Sequence, residues 1–145
     1  MDISPHVIAM MLSHATVMKL SLAKHLGISA LQLLALVLLG TTGGLSIKAL
    51  RSELCIPASS LTSTLDSLEK KKLIKRQRSK EDRRQWLLSL SSKGKKLYAK
   101  VLKANDEALS PALERLSGSE RAAFLKITEE VFSTAQGKKR LLGGA

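Results

Sequence analysis

Between Ala58 and Leu90 the spacing of apolar residues changes its period, and few folds accommodate that change in so short a stretch. Leu61, Leu65 and Leu68 recur at i, i+4 and i+7, which predicts a helix over 58–71 with Ser59, Ser60, Ser63, Ser67 and Lys70 on the opposite side. From Leu73 the period becomes two. Residues 73–78 and 85–90 read as strands, the second with Trp86, Leu88 and Leu90 on one face, joined by a charged tip at 79–84. Upstream, Ser46 can cap a short helix that aligns Ile47, Leu50 and Leu54, and Pro57 forces a turn before the helix at Ala58. Two helices separated by a tight turn and followed by a two-stranded ribbon make a winged helix-turn-helix.

The remaining residues read as helices that need a partner. Ser4 can cap and Pro5 can open a first helix reaching about Lys24. Its Val7, Met10, Met11, His14, Met18 and Leu22 form a stripe too broad for one small globule to cover, which predicts a second subunit. Gly27 breaks the pattern, Ser29 can cap a helix over 30–39, and Gly40 is expected in the left-handed position that closes it, with a loop at 41–44. Residues 35–39 are apolar all round, so this helix is central. Ser91 or Ser92 can start a long helix through Val101 to about Leu109, interrupted at Pro111. Ser117 and Glu120 form a capping box for a last helix over 120–135, whose face carries Phe124, Leu125, Ile127, Thr128, Val131 and Phe132. Residues 137–145 read as a small, basic, frayed tail. The expected fold is mainly α: a winged helix-turn-helix lobe with a two-stranded β wing over 27–109, flanked by N- and C-terminal dimerisation helices at 1–26 and 110–145.

Charge placement narrows the partner. The chain of 145 residues carries a net +12, and between Lys70 and Lys103 there are 14 Lys and Arg against 2 Asp and Glu, so the whole excess lies in one segment. Such a field attracts a polyanion, nucleic acid first. A helix fits the major groove of B-DNA and a basic ribbon tip fits the narrower minor groove. Ser59, Ser60, Thr62, Ser63, Ser67, Lys70, Arg78 and Lys80 are the candidate DNA contacts on helix and ribbon, with Lys71, Lys72, Lys75, Lys93, Lys95 and Lys96 as further phosphate partners.

Other chemistry is absent from the motifs. There is no Gly-rich phosphate loop, no HExxH, no GxSxG and no carboxylate pair in an apolar setting, so catalysis is not expected, and neither is a cofactor. His6, His14 and His25 are spaced by eight and eleven, which brings no two onto adjacent turns as metal ligands. The single cysteine, Cys55, excludes an internal disulfide and falls at the helix-turn-helix turn, where a small, semi-buried residue is expected. The longest apolar run, 28–39, contains Gln32 and is shorter than the roughly 20 residues of a membrane span. The N-terminus lacks the basic region and cleavage site of a secretory signal, so a cytoplasmic location and no membrane partner are expected.

The run 73–84, Leu-Ile-Lys-Arg-Gln-Arg-Ser-Lys-Glu-Asp-Arg-Arg, followed by Leu87-Leu88-Ser89-Leu90-Ser91-Ser92-Lys93-Gly94, resembles the wing signature of the MarR family of bacterial transcriptional regulators. Residues 27–32 are similar to the start of that family's second helix, and Ser59-Ser60-Leu61-Thr62 with Leu68-Glu69-Lys70-Lys71 to its recognition helix. The resemblance implies a homodimer whose two winged helices reach successive major grooves of a palindromic operator, most often as a repressor. It also implies release from DNA by a small, often anionic effector bound between the dimer helices and the DNA-binding lobe. Met11, His14, Met18 and Phe124 are the candidates to line such a pocket, against their plainer reading as dimer core. By the same resemblance Asp82 steadies the wing, Arg84 is the minor-groove arginine with Arg83 beside it, and Asp66 pairs with Arg76 to tie the recognition helix to the wing. Three positions depart from the pattern: Ser63 replaces a groove-facing Arg, Lys72 a Gly, and Arg51 a small residue. Loss of a bidentate Arg–guanine contact, about 1–3 kcal/mol of discrimination, keeps a second reading open, a basic architectural or non-specific nucleic-acid-binding protein.

Overall fold

The computed structural model describes the backbone of residues 5–79 and 85–142 and the side chains of 13, 15–79 and 85–130. Ser4, the side chains of Met11 and His14, and the wing-tip residues Lys80, Asp82, Arg83 and Arg84 lie outside the described residues. The elements run α1 (Pro5–His25), α2 (Ala30–Thr42), β1 (Leu45–Ser46), α3 (Ile47–Leu54), α4 (Ala58–Lys70), β2 (Ile74–Arg78), β3 (Trp86–Leu90), α5 (Ser92–Leu113) and α6 (Gly118–Leu142). They form two compact units, one through Val101 and one from Leu102. Among the described residues no single helix is long and apolar enough to cross a membrane; α1 and α2 meet at 95°.

In the first unit α2 lies at the centre because its Leu33, Ala35, Leu36 and Leu39 leave no polar face. Leu50 of α3, Leu61, Leu65 and Leu68 of α4, and Leu88 of β3 complete a core in which each side chain is almost fully buried. Removing any of these leucines from water contributes roughly 1.5–3 kcal/mol. Ser29 caps α2 in a full capping box, its hydroxyl accepting from Gln32 N while Gln32 Oε1 accepts from Ser29 N, both at 3.1 Å. Ser46 caps α3 by accepting from Ala49 N at 3.1 Å.

Several ends fall elsewhere than the periodicity predicts. α2 does not stop at Gly40 but runs to Thr42, because Thr41 and Thr42 donate their hydroxyls back to the Val37 and Leu38 carbonyls. The left-handed position is Gly43, with φ 75°. Gly40 is instead where Tyr98 packs, its ring 2.7 Å from where a Cβ would stand. The wing has a third strand: β1 pairs antiparallel with β3, Leu45 opposite Leu88 and Ser46 opposite Leu87, giving the order β1-β3-β2. β2 and β3 pair from Ile74 opposite Leu90 to Arg78 opposite Trp86.

α5 is capped by Ser91, whose hydroxyl accepts from Gly94 N at 3.0 Å and donates to Lys72 O at 2.6 Å. Gly94 is buried against the start of β2, and a Cβ there would overlap the Leu73 carbonyl oxygen. α5 continues through Pro111 to Leu113. Only two helical residues follow the proline, so the helix gives up little by losing one N–H near its end. In the second unit the capping box at the start of α6 is present: Ser117 N and Oγ both donate to Glu120 Oε2, at 2.8 and 2.7 Å. α6 reaches Leu142 rather than ending near Ala135, so 137–142 is helix and not frayed tail; no proline follows Pro111 to stop it.

Candidate nucleic-acid interface

α4 buries Leu61, Thr64, Leu65 and Leu68 and turns the other side outward. Ser59, Thr62, Ser63, Asp66 and Lys70 are exposed there, and Ser60 and Ser67 are half-buried at its edge. Thr62 and Ser63 donate their hydroxyls to the carbonyls of Ala58 and Ser60, at 3.0 and 3.1 Å, which leaves both oxygens free to accept. Pro57 occupies the N-cap position and offers no side-chain cap, so the first-turn N–H groups and the positive end of the helix stay open to an outside anion.

Ser67 is placed differently from its neighbours. Its Oγ accepts from Gln32 Nε2 at 2.7 Å, facing α2 and not the exposed side, because it sits at the margin of the buried stripe and not opposite it. Gln32 in turn accepts from Lys71 Nζ at 3.3 Å, and Lys71 also donates to Gly27 O at 2.7 Å. Lys93 Nζ donates to Lys71 O at 3.0 Å. Lys71 and Lys93, expected as phosphate partners, thus clamp backbone. Sequence reasoning assigned them by charge alone and missed the carbonyls they reach.

Arg76 joins β2 to α4 through two carboxylates. Its guanidinium donates from Nη2 to Asp66 Oδ1 at 3.0 Å and from Nε to Glu69 Oε1 at 2.8 Å. Glu69 was not anticipated, although it stands one turn from Asp66 on the same helix and is reached by the same planar fork. The single guanidinium offsets one of these two negative charges and binds both carboxylates, on a face otherwise rich in Lys and Arg. At the far end of the ribbon Arg78 lies over the Trp86 ring, 4.0 Å from its centroid. Trp86 does not share the burial of Leu88 and Leu90: it is 38% exposed, since it pairs at the end of the ladder beyond the core. Ser79 N donates to Gln85 O at 2.9 Å, closing the ribbon just before its tip.

Two turns carry non-glycine residues in the left-handed region. Cys55 closes α3 at φ 51°, and Lys72 follows α4 at φ 58°. Each costs roughly 1–2 kcal/mol relative to a right-handed residue. Cys55 is exposed, not semi-buried, because it stands at the outer corner of the turn between α3 and α4; its thiol donates to Ser52 O at 3.5 Å. Lys72 is held in that conformation from both sides, its N donating to Glu69 O at 2.8 Å and its carbonyl accepting from Ser91.

Of the candidate effector residues, Met18 is exposed in the first unit and Phe124 exposed in the second. Two cavities of the first unit, one bordered by Leu26, Leu73 and Leu97 and one by Leu39, Leu90 and Tyr98, include neither Met18 nor Phe124 in their lining.

Residues 28–86 match the sequence model of the MarR family. Over 89 residues the chain is 37% identical to the HTH-type transcriptional regulator FarR of Neisseria gonorrhoeae, an alignment covering 61% of this chain and 60% of that protein. The chain spans about three fifths of the length of the curated relatives it matches. Among solved structures, a MarR-family regulator from Listeria monocytogenes complexed with 26mer DNA superposes with a TM-score of 0.79 at 20% identity, covering 99% of this chain and 95% of that one. NadR in complex with 4-hydroxyphenylacetate superposes with a TM-score of 0.71 at 25% identity, over 90% and 93% of the two chains. Sequence and fold comparisons converge with the resemblance read from the wing and the recognition helix: residues 28–86 match the MarR family, and the chain has the winged-helix fold of these structures.

Proposed function

We propose that this chain is a sequence-specific transcriptional regulator, not an enzyme, that binds double-stranded DNA in the cytoplasm as a homodimer and represses from a palindromic operator. The observation that carries this reading is the union of an exposed, hydroxyl-rich α4 with a ribbon whose cations are concentrated beside it. Ser59, Thr62 and Ser63 face the major groove, the open N-terminus of α4 meets a phosphate, and Ser60, Lys70 and Arg78 hold the backbone on either side. Lys80, Arg83 and Arg84 enter the minor groove from the tip, which Asp82 steadies. Ser67 is left out of the contact set because Gln32 engages it.

The dimer reading rests on apolar surface. Val17, Met18 and Leu20 on α1, and Phe124, Leu125 and Ile127 on α6, are each between 44% and 63% exposed, more than a monomer leaves to water without use. We assign Met18 and Phe124, and with them Met11 and His14, to the surface a second subunit covers. Half-sites then lie about one helical turn, ~34–36 Å, apart. Regulation by a small organic anion is part of the same reading, supported by the aromatic acid held by NadR.

A specific observation favours a second reading. Ser63 puts no charge in the groove, while the segment from Lys70 to Lys103 carries the entire +12, as a non-specific binder would. Fluorescence anisotropy separates the two, with the DNA upstream of the chain's own gene and a scrambled duplex of equal length, at about 50 and 200 mM salt. A clear preference for the upstream duplex at the higher salt supports the regulator, and Arg84→Ala then weakens that duplex with the dimer intact. Equal binding to both duplexes, lost together as salt rises, supports the architectural protein instead.

A further inference from the structure

The ribbon ends in a pair of side chains that the core does not account for. Arg78 and Trp86 stand directly opposite each other at the outer end of the β2–β3 ladder. Directly opposed residues share a face of a sheet, and so do residues two apart along a strand. Ile74, Arg76 and Arg78 therefore project to the same side as Leu90, Leu88 and Trp86. The inner pairs are accounted for: Ile74, Leu88 and Leu90 are buried in the core, and Arg76 reaches across to Asp66 and Glu69 of α4. Arg78 and Trp86 lie one step further out, about 7 Å along the strands, on the side of the ribbon from which Arg76 reaches α4.

Stability alone is a poor reason to keep this outermost pair. Trp86 is 38% exposed, which leaves much of a large apolar ring in water, and a cation–π contact at an exposed site stabilises weakly. What the contact fixes is direction. An arginine loses rotamer freedom when it is ordered, and here the guanidinium already lies over the indole, 4.0 Å from the ring centroid. Stacking uses the flat face of the guanidinium, whereas its N–H donors point outward in the plane, so stacking and donation to a phosphate are compatible. Adjacent grooves of a duplex are separated by one sugar–phosphate strand. With α4 in one groove and the ribbon tip in the next, that strand passes the side of the ribbon on which Arg78 and Trp86 stand.

We propose that Trp86 is a positioning residue for duplex binding: its indole holds the Arg78 guanidinium ready for the backbone phosphate that runs between the two grooves. The inference rests on the duplex-binding part of the proposed function, and on neither its sequence specificity nor its regulation. Trp86 acts through Arg78 and makes no base contact of its own, so its effect is the same on any sequence.

The test is fluorescence anisotropy of the full chain with labelled duplexes, in a cycle of Trp86→Leu, Arg78→Ala and the double variant. Trp86→Leu is expected to weaken the upstream and the scrambled duplex alike, by about two- to tenfold, the cost of ordering one long side chain on binding. Trp86→Phe keeps a ring and is expected to retain most of the parental affinity, and Trp86→Leu to add nothing in the Arg78→Ala background. Trp86 is the chain's single tryptophan, so acrylamide quenching of its emission is expected to rise in Arg78→Ala as the ring face is uncovered. Parental affinity in Trp86→Leu overturns the proposal, and so does quenching that ignores Arg78. A loss that Phe does not restore, or one of equal size with and without Arg78, gives Trp86 a duplex contact or a folding role of its own and overturns it as well. A parent chain that binds neither duplex overturns the duplex-binding reading and this inference together, whereas each of the other failures leaves that reading standing.

Discussion

Gln32 of α2 donates a 2.7 Å hydrogen bond to Ser67 of α4, thirty-five residues on, and this contact sets the roll of α4 about its own axis. Gln32 is 8% exposed, so its amide has little water to fall back on. Ser67→Ala removes the acceptor and is expected to cost about 1–3 kcal/mol, read from the urea midpoint. If Ser67 served DNA instead, duplex affinity would fall with stability unchanged.

Arg76 is expected to matter more to binding than to folding. The fork to Asp66 and Glu69 is partly exposed, so Arg76→Gln lowers stability by about 0.5–1 kcal/mol. It also leaves two carboxylates uncompensated on the face proposed to meet phosphate, so duplex affinity is expected to drop severalfold in anisotropy, and the restoring partner is Asp66→Asn. An Arg76→Gln protein with parental affinity separates this fork from the interface.

Gly94→Ala is a test of packing alone. The new methyl meets the Leu73 carbonyl, which is backbone and cannot rotate away, so α5 or β2 must shift. A loss of about 1–3 kcal/mol is expected, measured by thermal unfolding. Stability equal to the parent's means that the two elements approach less closely than described.

Acid sensitivity of the second unit should trace to Glu120. Hydrogen bonds from the Ser117 hydroxyl and backbone N–H hold its carboxyl below the ordinary value of 4.5. A depressed folded value means the contribution is complete above pH 4.5 and is lost as pH falls through the folded value. Glu120→Gln is therefore expected to lower the melting temperature at pH 7 and to remove part of the decline seen on acidification. Parallel pH profiles for the two proteins would place the acid sensitivity elsewhere.

What could be read in advance was whatever is decided within a few residues. Ser29, Ser46 and Ser117 advertise their helices because a cap needs only the three residues that follow. The change of period at Leu73 gave β2 and β3, and the structure adds their register. Gly40 looked like a stop because Tyr98, fifty-eight residues later, is invisible to local pattern. β1 is two residues long and has no period to detect. Distance likewise hid the inward bond of Ser67 and the carbonyls that hold Lys71 and Lys93. Charge told where cations are, and only the fold tells which of them are already engaged.

Ser46 ends β1 and caps α3, so one residue belongs to the sheet and to the helix-turn-helix at once. Leu45 and Ser46 are paired to β3, and β3 to β2, whose Arg76 returns to α4. The path closes on itself. A motion that tilts the ribbon must carry α3 and α4 with it, so the two probes that would enter adjacent grooves keep a fixed spacing set before any duplex arrives. On the proposed function, such a lobe would select DNA whose groove widths already match that spacing, or bend the duplex until they do.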